Sequence, residues 1–208
     1  MKAASERRAV VGMLGASLLL AGCGRSWKLD SQDIAAKKSI PPLEFALADA
    51  DTGKIVTQAA FRGKIVMLYF GYTNCPNVCP MTLSDTARMF QMIGKPAEDI
   101  RFLFVTVDPR RDSLALLKKY TALFGSPNII GLRGGEAALH EVASRYHAGY
   151  SVDPSPDPAK YTVTHTAAIY VFNRRGKPEF IIAGLASEHP DLKGIAKDLA
   201  HLAATGTV

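Results

Sequence analysis

Two cysteines and one distant histidine are the residues of this chain best suited to chemistry. Cys75 and Cys79 are separated by three residues and follow an apolar run, KIVMLYF, at residues 64–70. An almost continuous apolar run of this length is typical of a strand that is buried on both faces of a sheet. The pair therefore lies at the carboxyl end of a central strand, where open α/β sheets place their sites.

Pro80 predicts how the two thiols are presented. Proline suits the first position of a helix, so we expect a helix over residues 80–93, with Cys79 near its N-cap and Cys75 in the preceding loop. The partial positive charge and free N–H groups of a helix N-terminus favour thiolate over thiol. Two converging thiolates have three common uses: disulfide exchange, peroxide reduction by a cysteine with a resolving partner, and soft-metal binding.

The spacing of the pair favours a metal. Thioredoxin-type oxidoreductases use Cys-x-x-Cys, whereas the three intervening residues between Cys75 and Cys79 leave room for an ion between the sulfurs. Two thiolates suit Cu(I), while a closed zinc site needs four ligands and the chain has no second cysteine pair. A structural disulfide is the alternative, although a bridge closing so short a loop contributes little stability.

His165 is the histidine that the predicted sheet brings to the cysteines. The turn Asn-Arg-Arg-Gly at residues 173–176 joins two apolar segments, so the strand predicted over residues 166–172 belongs to an antiparallel hairpin. His165 enters that strand, at the sheet edge where the central strands end. We therefore predict His165 as the third ligand. The other four histidines are predicted to be ordinary solvent-side residues: His140, His147, His189 and His201.

Asp108 closes the second predicted central strand, at residues 100–107, and lies at the same edge. Its carboxylate either tunes the thiols and orients a partner, or serves as a turn residue ahead of Pro109. Both interpretations stay open at this point.

The remaining pattern predicts an α/β fold. We expect a thioredoxin-like fold, with a central mixed sheet flanked by helices and an N-terminal β-hairpin extension at residues 45–56. The other expected elements are strands at 129–132 and 179–182, helices at 112–124, 136–146 and 190–203, and a Pro-rich loop at 153–159.

The third cysteine, Cys23, ends an export signal. A basic head precedes 13 uncharged apolar residues, 9–21, which are too few for the roughly 20 that span a bilayer as a helix. The following Leu-Ala-Gly-Cys resembles a bacterial lipobox. We predict a signal peptide at 1–22, lipidation at Cys23, a tether at 23–39 and the folded domain at 40–205. An uncleaved signal anchor is the alternative, and it also exports the domain.

The basic excess does not indicate nucleic acid. Removal of the signal peptide lowers the formal charge from +6 to +4, because Lys2, Arg7, Arg8 and Glu6 leave with it. The basic residues left form doublets rather than a run, among them Lys118-Lys119 and Arg174-Arg175. We therefore expect no nucleic-acid partner.

Three segments resemble the SCO/SenC copper chaperones: GYTNCPNVCPMTL, VTVDPRRDS and YTVTHTAAIYVFNRRG. The resemblance implies that Cu(I) and Cu(II) bind at Cys75, Cys79 and His165, and that Asp108 is the family's acidic residue. It also implies help in metallating the binuclear copper centre of cytochrome c oxidase. Thr164 departs from the family, which often has Asp there.

The function we expect is therefore that of a metallochaperone rather than an enzyme. A thiol-disulfide reductase that keeps a partner's copper-binding cysteines reduced, through Cys75 and Cys79, is the main alternative. A thiol peroxidase is a weaker one, because no peroxidase-type block surrounds Cys75. The expected partners are the copper-bearing subunit of cytochrome c oxidase, another periplasmic copper chaperone or thiol reductant, and a membrane bound through the lipid. The expected location is the bacterial cell envelope, on the periplasmic face of the inner membrane.

Overall fold

The structure is a computed structural model that describes residues 29, 34–36, 40–157, 160–183 and 185–207. The predicted signal peptide and the lipidation at Cys23 lie outside the described residues. Within the described part of the chain, every helix is too short or too polar to cross a membrane.

An eight-stranded mixed sheet forms the centre of the molecule. Its strands are β1 (Ile34–Ala36), β2 (Ala46–Asp49), β3 (Ile55–Thr57), β4 (Ile65–Gly71), β5 (Ile100–Thr106), β6 (Ile129–Arg133), β9 (Ile169–Phe172) and β10 (Pro178–Ile182), in the spatial order β1-β10-β9-β4-β5-β6-β2-β3. The strands β4, β5 and β6 are parallel, whereas β9 pairs antiparallel with β4 and β10. Two further strands, β7 (Tyr150–Asp153) and β8 (Thr162–His165), pair only with each other.

In the described part of the chain, four α-helices flank the sheet. They are α1 (Val78–Ile93), α2 (Leu114–Ala122), α3 (Glu136–Arg145) and α4 (Leu192–Thr205), and short 3-10 helices occur at Gln58–Phe61 and Lys95–Asp99. Every residue of β4 is buried, as its uninterrupted apolar run predicts. The predicted thioredoxin-like α/β order is confirmed, and β2 and β3 form the predicted hairpin.

The predicted start of α1 was wrong by two residues. The helix begins at Val78, with Asn77 as its N-cap, so Cys79 lies inside the first turn rather than at the cap. Pro80 is the third helical residue, where it is tolerated because the first four N–H groups of a helix have no intrahelical partner.

The strand assigned to His165 was also wrong. His165 ends β8, a short strand paired with β7, and three residues separate it from β9. The predicted Pro-rich loop lies between β7 and β8, except for Asp153, which belongs to β7. The predicted tether differs as well, because its residues 34–36 form β1 and pair with β10 at the edge of the sheet.

Candidate metal centre

Three potential ligands converge at the carboxyl end of β4. One ligand atom from each of Cys75, Cys79 and His165 lies within 4.8 Å of the other two, the only such group of three found in the described ranges. The Sγ of Cys79 is 3.3 Å from the Nε2 of His165. Cys79 is fully buried, whereas Cys75 and His165 are half-buried. The centre therefore has a closed inner side at Cys79 and an open side at the other two residues.

Hydrogen bonds to Asp112 fix the start of the cysteine loop. This buried carboxylate accepts hydrogen bonds from the backbone N–H of Thr73 at 3.0 Å, the hydroxyl of Thr73 at 2.6 Å and the hydroxyl of Thr106 at 2.6 Å. The backbone N–H of Cys75 in turn donates to the carbonyl of Tyr72 at 3.3 Å. The start of the loop is thus tied to the end of β5.

The imidazole of His165 has a fixed orientation. Its Nδ1 lies 3.2 Å from the carbonyl oxygen of Thr166, which can only accept, so Nδ1 donates in this contact and Nε2 faces Cys79. The rings of Tyr69 and Tyr72 meet the imidazole edge-on, with centroids 5.9 and 5.8 Å away. This arrangement presents a metal-binding nitrogen to the two sulfurs.

Two residues of β4 shape the buried side of the centre. The buried hydroxyl of Tyr69 donates to the Sγ of Cys79 at 3.7 Å. A Cβ added to Gly71 would lie 2.8 Å from the same sulfur and 2.7 Å from Cε2 of Phe104. Only glycine at position 71 therefore leaves space for the Cys79 sulfur.

The Asp108 carboxylate bonds to Arg111 and Tyr161 rather than to the thiols. Its buried carboxylate accepts hydrogen bonds from Nε of Arg111 and, at 2.5 Å, from the hydroxyl of Tyr161. The Arg111 guanidinium lies 3.6 Å from the centroid of the Tyr161 ring and 5.8 Å from that of Tyr72, which packs on His165. Asp108 is thus more than a turn residue, and it is linked to the centre through the side chains of Arg111 and Tyr72.

The two thiols have opposite acidities. The hydrogen bond from Cys79, helped by His165 and the backbone N–H groups of Cys79 and Asn77, lowers the pKa of Cys75 to about 3 even though burial opposes it. The same bond to Cys75, together with burial, raises the pKa of Cys79 above its ordinary value. The metal-free pair therefore shares one proton, held on Cys79, and Cys75 is the thiolate.

We expect iodoacetamide to alkylate Cys75 selectively in the reduced, metal-free protein. Because the pKa of Cys75 is about 3, its thiolate persists through pH 5–8, and the rate should be nearly constant there. An ordinary thiol would lose about tenfold in rate per pH unit below its pKa of about 8.5. Mass spectrometry of quenched samples identifies the alkylated cysteine and gives the rate of alkylation. The Cys79→Ala variant should show a steeper pH dependence, because it loses the largest cause of the low pKa of Cys75. A tenfold fall between pH 8 and pH 7 in the unmodified protein would contradict the prediction.

The donor set fits a soft metal ion. Metal–sulfur and metal–nitrogen bonds of about 2.3 and 2.0 Å place the two ligand atoms roughly 3.5 Å apart, close to the 3.3 Å between Cys79 and His165. Thiolate and imidazole are ligands that copper accepts at low coordination number. A closed zinc site would need a fourth ligand, which the three-residue group found in the described ranges does not supply.

Sequence reasoning missed the residues that support the ligands. Asp112, Tyr69 and Gly71 carry no metal-binding signature, and their roles depend on contacts between separate elements. A usable signal existed for Asp112, because a carboxylate four residues after Asp108 at the same edge meets the N–H groups of the cysteine loop. The other four histidines, His140, His147, His189 and His201, are at least partly exposed in the described structure.

Comparisons with known proteins agree with this geometry. A family model described as SCO1/SenC matches residues 35–203. The mitochondrial SCO2 homolog of Bos taurus is 36% identical over 135 residues, which cover 64% of this chain and 50% of that protein. The chain spans about half to two thirds of the length of the first curated relatives that it matches.

Solved structures show the same fold. The structure of Bradyrhizobium japonicum ScoI with copper bound has a TM-score of 0.66 and 34% identity, covering 77% of this chain and 98% of that one. The apo Sco1 protein from Thermus thermophilus has a TM-score of 0.71 and 28% identity, with 86% and 99% covered.

Proposed function

The chain belongs to the SCO1/SenC family, and from this premise we propose that it binds one copper ion through Cys75, Cys79 and His165 and passes it to a partner protein. The observation that carries the proposal is that two sulfurs and one ring nitrogen of His165 lie within 4.8 Å of one another. A copper-bound ScoI with the same fold supports the choice of metal.

The acceptor we propose is the binuclear copper centre of cytochrome c oxidase, in its copper-bearing subunit. The three sequence segments that resemble the family support this choice. We further propose that residues 1–22 are removed, that Cys23 carries lipid, and that this lipid holds the domain at a membrane of the cell envelope. The partner that supplies copper or electrons is then another periplasmic chaperone or thiol reductant.

The shape of the centre suggests how the ion leaves. Cys75 and His165 are half-buried and lie on the open side, whereas Cys79 is fully buried. An incoming partner ligand therefore replaces His165 or Cys75 first, and Cys79 releases the ion last. Copper moves by ligand exchange with its charge unchanged, and the released Cys79 thiolate takes back a proton.

Anaerobic copper titration of the reduced protein tests the function directly. We expect one equivalent of Cu(I) to be retained against a competitor of moderate affinity, and native mass spectrometry counts the bound ion. Failure to retain that equivalent would refute the chaperone proposal.

His165→Ala should weaken Cu(II) binding at least about tenfold, because an imidazole nitrogen is lost from the ligand set. The Cu(I) affinity should change less, because two thiolates are a sufficient ligand set for this ion. Competition titrations in each oxidation state measure both affinities, and His140→Ala, an exposed histidine of α3, is the matched control. Equal Cu(II) affinity in all three proteins would exclude His165 as a ligand.

A thiol-disulfide reductase is a second proposal, favoured by the asymmetry of the thiols. Cys75 is accessible and ionised, which suits the attacking sulfur, and Cys79 is buried and protonated, which suits the resolving one. The His165→Ala variant separates the two functions. Reductase activity that falls in this variant while both copper affinities stay unchanged would favour the reductase over the chaperone.

A further inference from the structure

Two tight turns meet at the end of the sheet opposite the metal centre. The turn at Gly63 precedes β4, and the turn ending at Gly176 joins β9 to β10; both glycines have positive φ, +81° and +72°. The N–H of Gly63 donates to the carbonyl of Arg174 at 3.0 Å, and Nη1 of Arg174 donates back to the carbonyl of Gly63 at 2.6 Å. The two turns are therefore fixed relative to each other.

The fixed turns surround a small basic concavity. Its volume is about 210 Å³, and four cationic residues line it together with apolar and amide side chains. The four cations are Arg62, Lys64, Arg174 and Arg175. No carboxylate is among its lining residues in the described structure. We use the name basic concavity for this site.

Asp99 positions two of the four cations of the basic concavity and leaves the other two unpaired by it. Asp99 pairs with Nζ of Lys64 and with Nη2 of Arg174, each at 2.8 Å. These hydrogen bonds lower the pKa of Asp99 to about 2, so it stays charged. Arg62 and Arg175 are exposed and have no ion-pair partner among the described residues. Among the described residues, Asp99 is thus the one carboxylate that forms ion pairs with these four cations.

The size and charge of the basic concavity select a phosphate group. Pockets that enclose small-molecule ligands usually measure about 300–1,000 Å³, so 210 Å³ is too small for a nucleotide and large enough for one phosphate. Guanidinium groups bind phosphate oxygens in pairs, and two arginines here have no other ionic partner among the described residues. The site is also exposed at a sheet end, where a flat charged surface can reach it.

We propose that the basic concavity docks the domain on the phosphate headgroups of an anionic lipid surface. The proposal goes beyond copper binding and rests on the proposed function only in placing the chain at a membrane. β4 separates the basic concavity from the metal centre by about 20 Å. Docking would leave the end of the sheet that carries the metal centre turned away from the lipid and open to a protein partner.

The chain between the lipid and the sheet allows this orientation. Ile34 starts β1 and pairs with Ile182, at the end of the sheet that carries the metal centre. Leu29 packs against the hydrophobic core, so the six steps from Cys23 to Leu29 set the free length of the tether, which reaches at most about 20–22 Å when extended. That reach is comparable with the roughly 20 Å of β4, so an extended tether can run back along the domain to the membrane.

Vesicle co-sedimentation of the metal-free chain 24–208, which contains every helix and strand described above, tests the docking. We expect binding to mixed phosphatidylcholine–phosphatidylglycerol vesicles, weakening with salt, and little binding to phosphatidylcholine alone. Arg62→Ala combined with Arg175→Ala should lower the partition coefficient at least about tenfold. Lys118→Ala combined with Lys119→Ala, an exposed pair on α2, is the control with equal charge loss and should change it less than about threefold. Melting curves and copper uptake confirm that each variant is folded.

Three outcomes would overturn the proposal. Equal losses in both double variants would mean that net charge alone attracts the domain. Saturable binding of inorganic phosphate with no vesicle binding would make the site one for a free anion. Equal binding to both vesicle types would exclude headgroup charge as the cause. Copper affinity is measured on the same variants, so failure of docking and failure of the chaperone function are read separately.

Discussion

Replacing Cys79 with serine is expected to lower Cu(I) affinity at least about a hundredfold and to abolish copper delivery. Cys79 is the innermost of the three proposed ligands, fully buried and placed 3.3 Å from the Nε2 of His165. A serine hydroxyl is a hard, protonated donor, so the variant keeps one thiolate and loses the soft pair. Because position 79 is buried, an added thiol cannot reach the site to replace the missing sulfur.

Competition with a Cu(I) chelator under anaerobic conditions measures the effect of Cys79→Ser. Ser84→Ala, on an exposed position of the same helix, is the matched control and should keep the original affinity. Thermal melting of the metal-free proteins should show that both variants are folded. A folded Cys79→Ser protein with unchanged affinity would mean that copper binds elsewhere.

Replacing Gly71 with alanine is expected to destabilise the domain by about 1–3 kcal/mol and to weaken copper binding as well. The added methyl group would lie 2.7 Å from Cε2 of Phe104, 2.8 Å from Sγ of Cys79 and 2.9 Å from Cε1 of Tyr69. All three neighbours are buried, so the strain must move either the core rings or the ligand sulfur.

Urea unfolding of the metal-free protein gives the stability change, and Cu(I) competition gives the change in affinity. Gly135→Ala is the control, because a Cβ there meets nothing within 4 Å. It removes only a glycine N-cap of α3, which should cost less than about 1 kcal/mol. If Gly71→Ala matched the control in both measurements, the close approach at Cys79 would be refuted.

The sequence predicted the architecture well where a single pattern decided the outcome. The apolar run at residues 65–70 has only one stable placement, the centre of a sheet, and β4 occupies it. The glycine turn after residue 173 required an antiparallel hairpin, and β9 and β10 form it. These two facts already placed Cys75, Cys79 and His165 at one edge.

Prediction failed where a short segment is stabilised only by distant contacts. The four residues of β7 have no strong pattern, and they form a strand because β8 offers them a partner. His165 was therefore given to the wrong strand, although to the right edge. The start of α1 was misplaced because Pro80 is compatible with any position of the first turn. The roles of Tyr69, Gly71 and Asp112 required the tertiary structure.

The separation of the proposed ligands along the chain sets the order in which they are synthesised. His165 follows Cys79 by 86 residues, and it belongs to a strand pair, β7 and β8, that lies late in the sequence. At a synthesis rate of about 5–20 residues per second, the histidine leaves the ribosome roughly 4 to 17 s after the second thiol. The nascent chain thus carries both cysteines before the imidazole, β9 and α4 exist to enclose them. During this interval the second thiol lacks the burial that the folded domain gives Cys79, and both thiols are open to reaction.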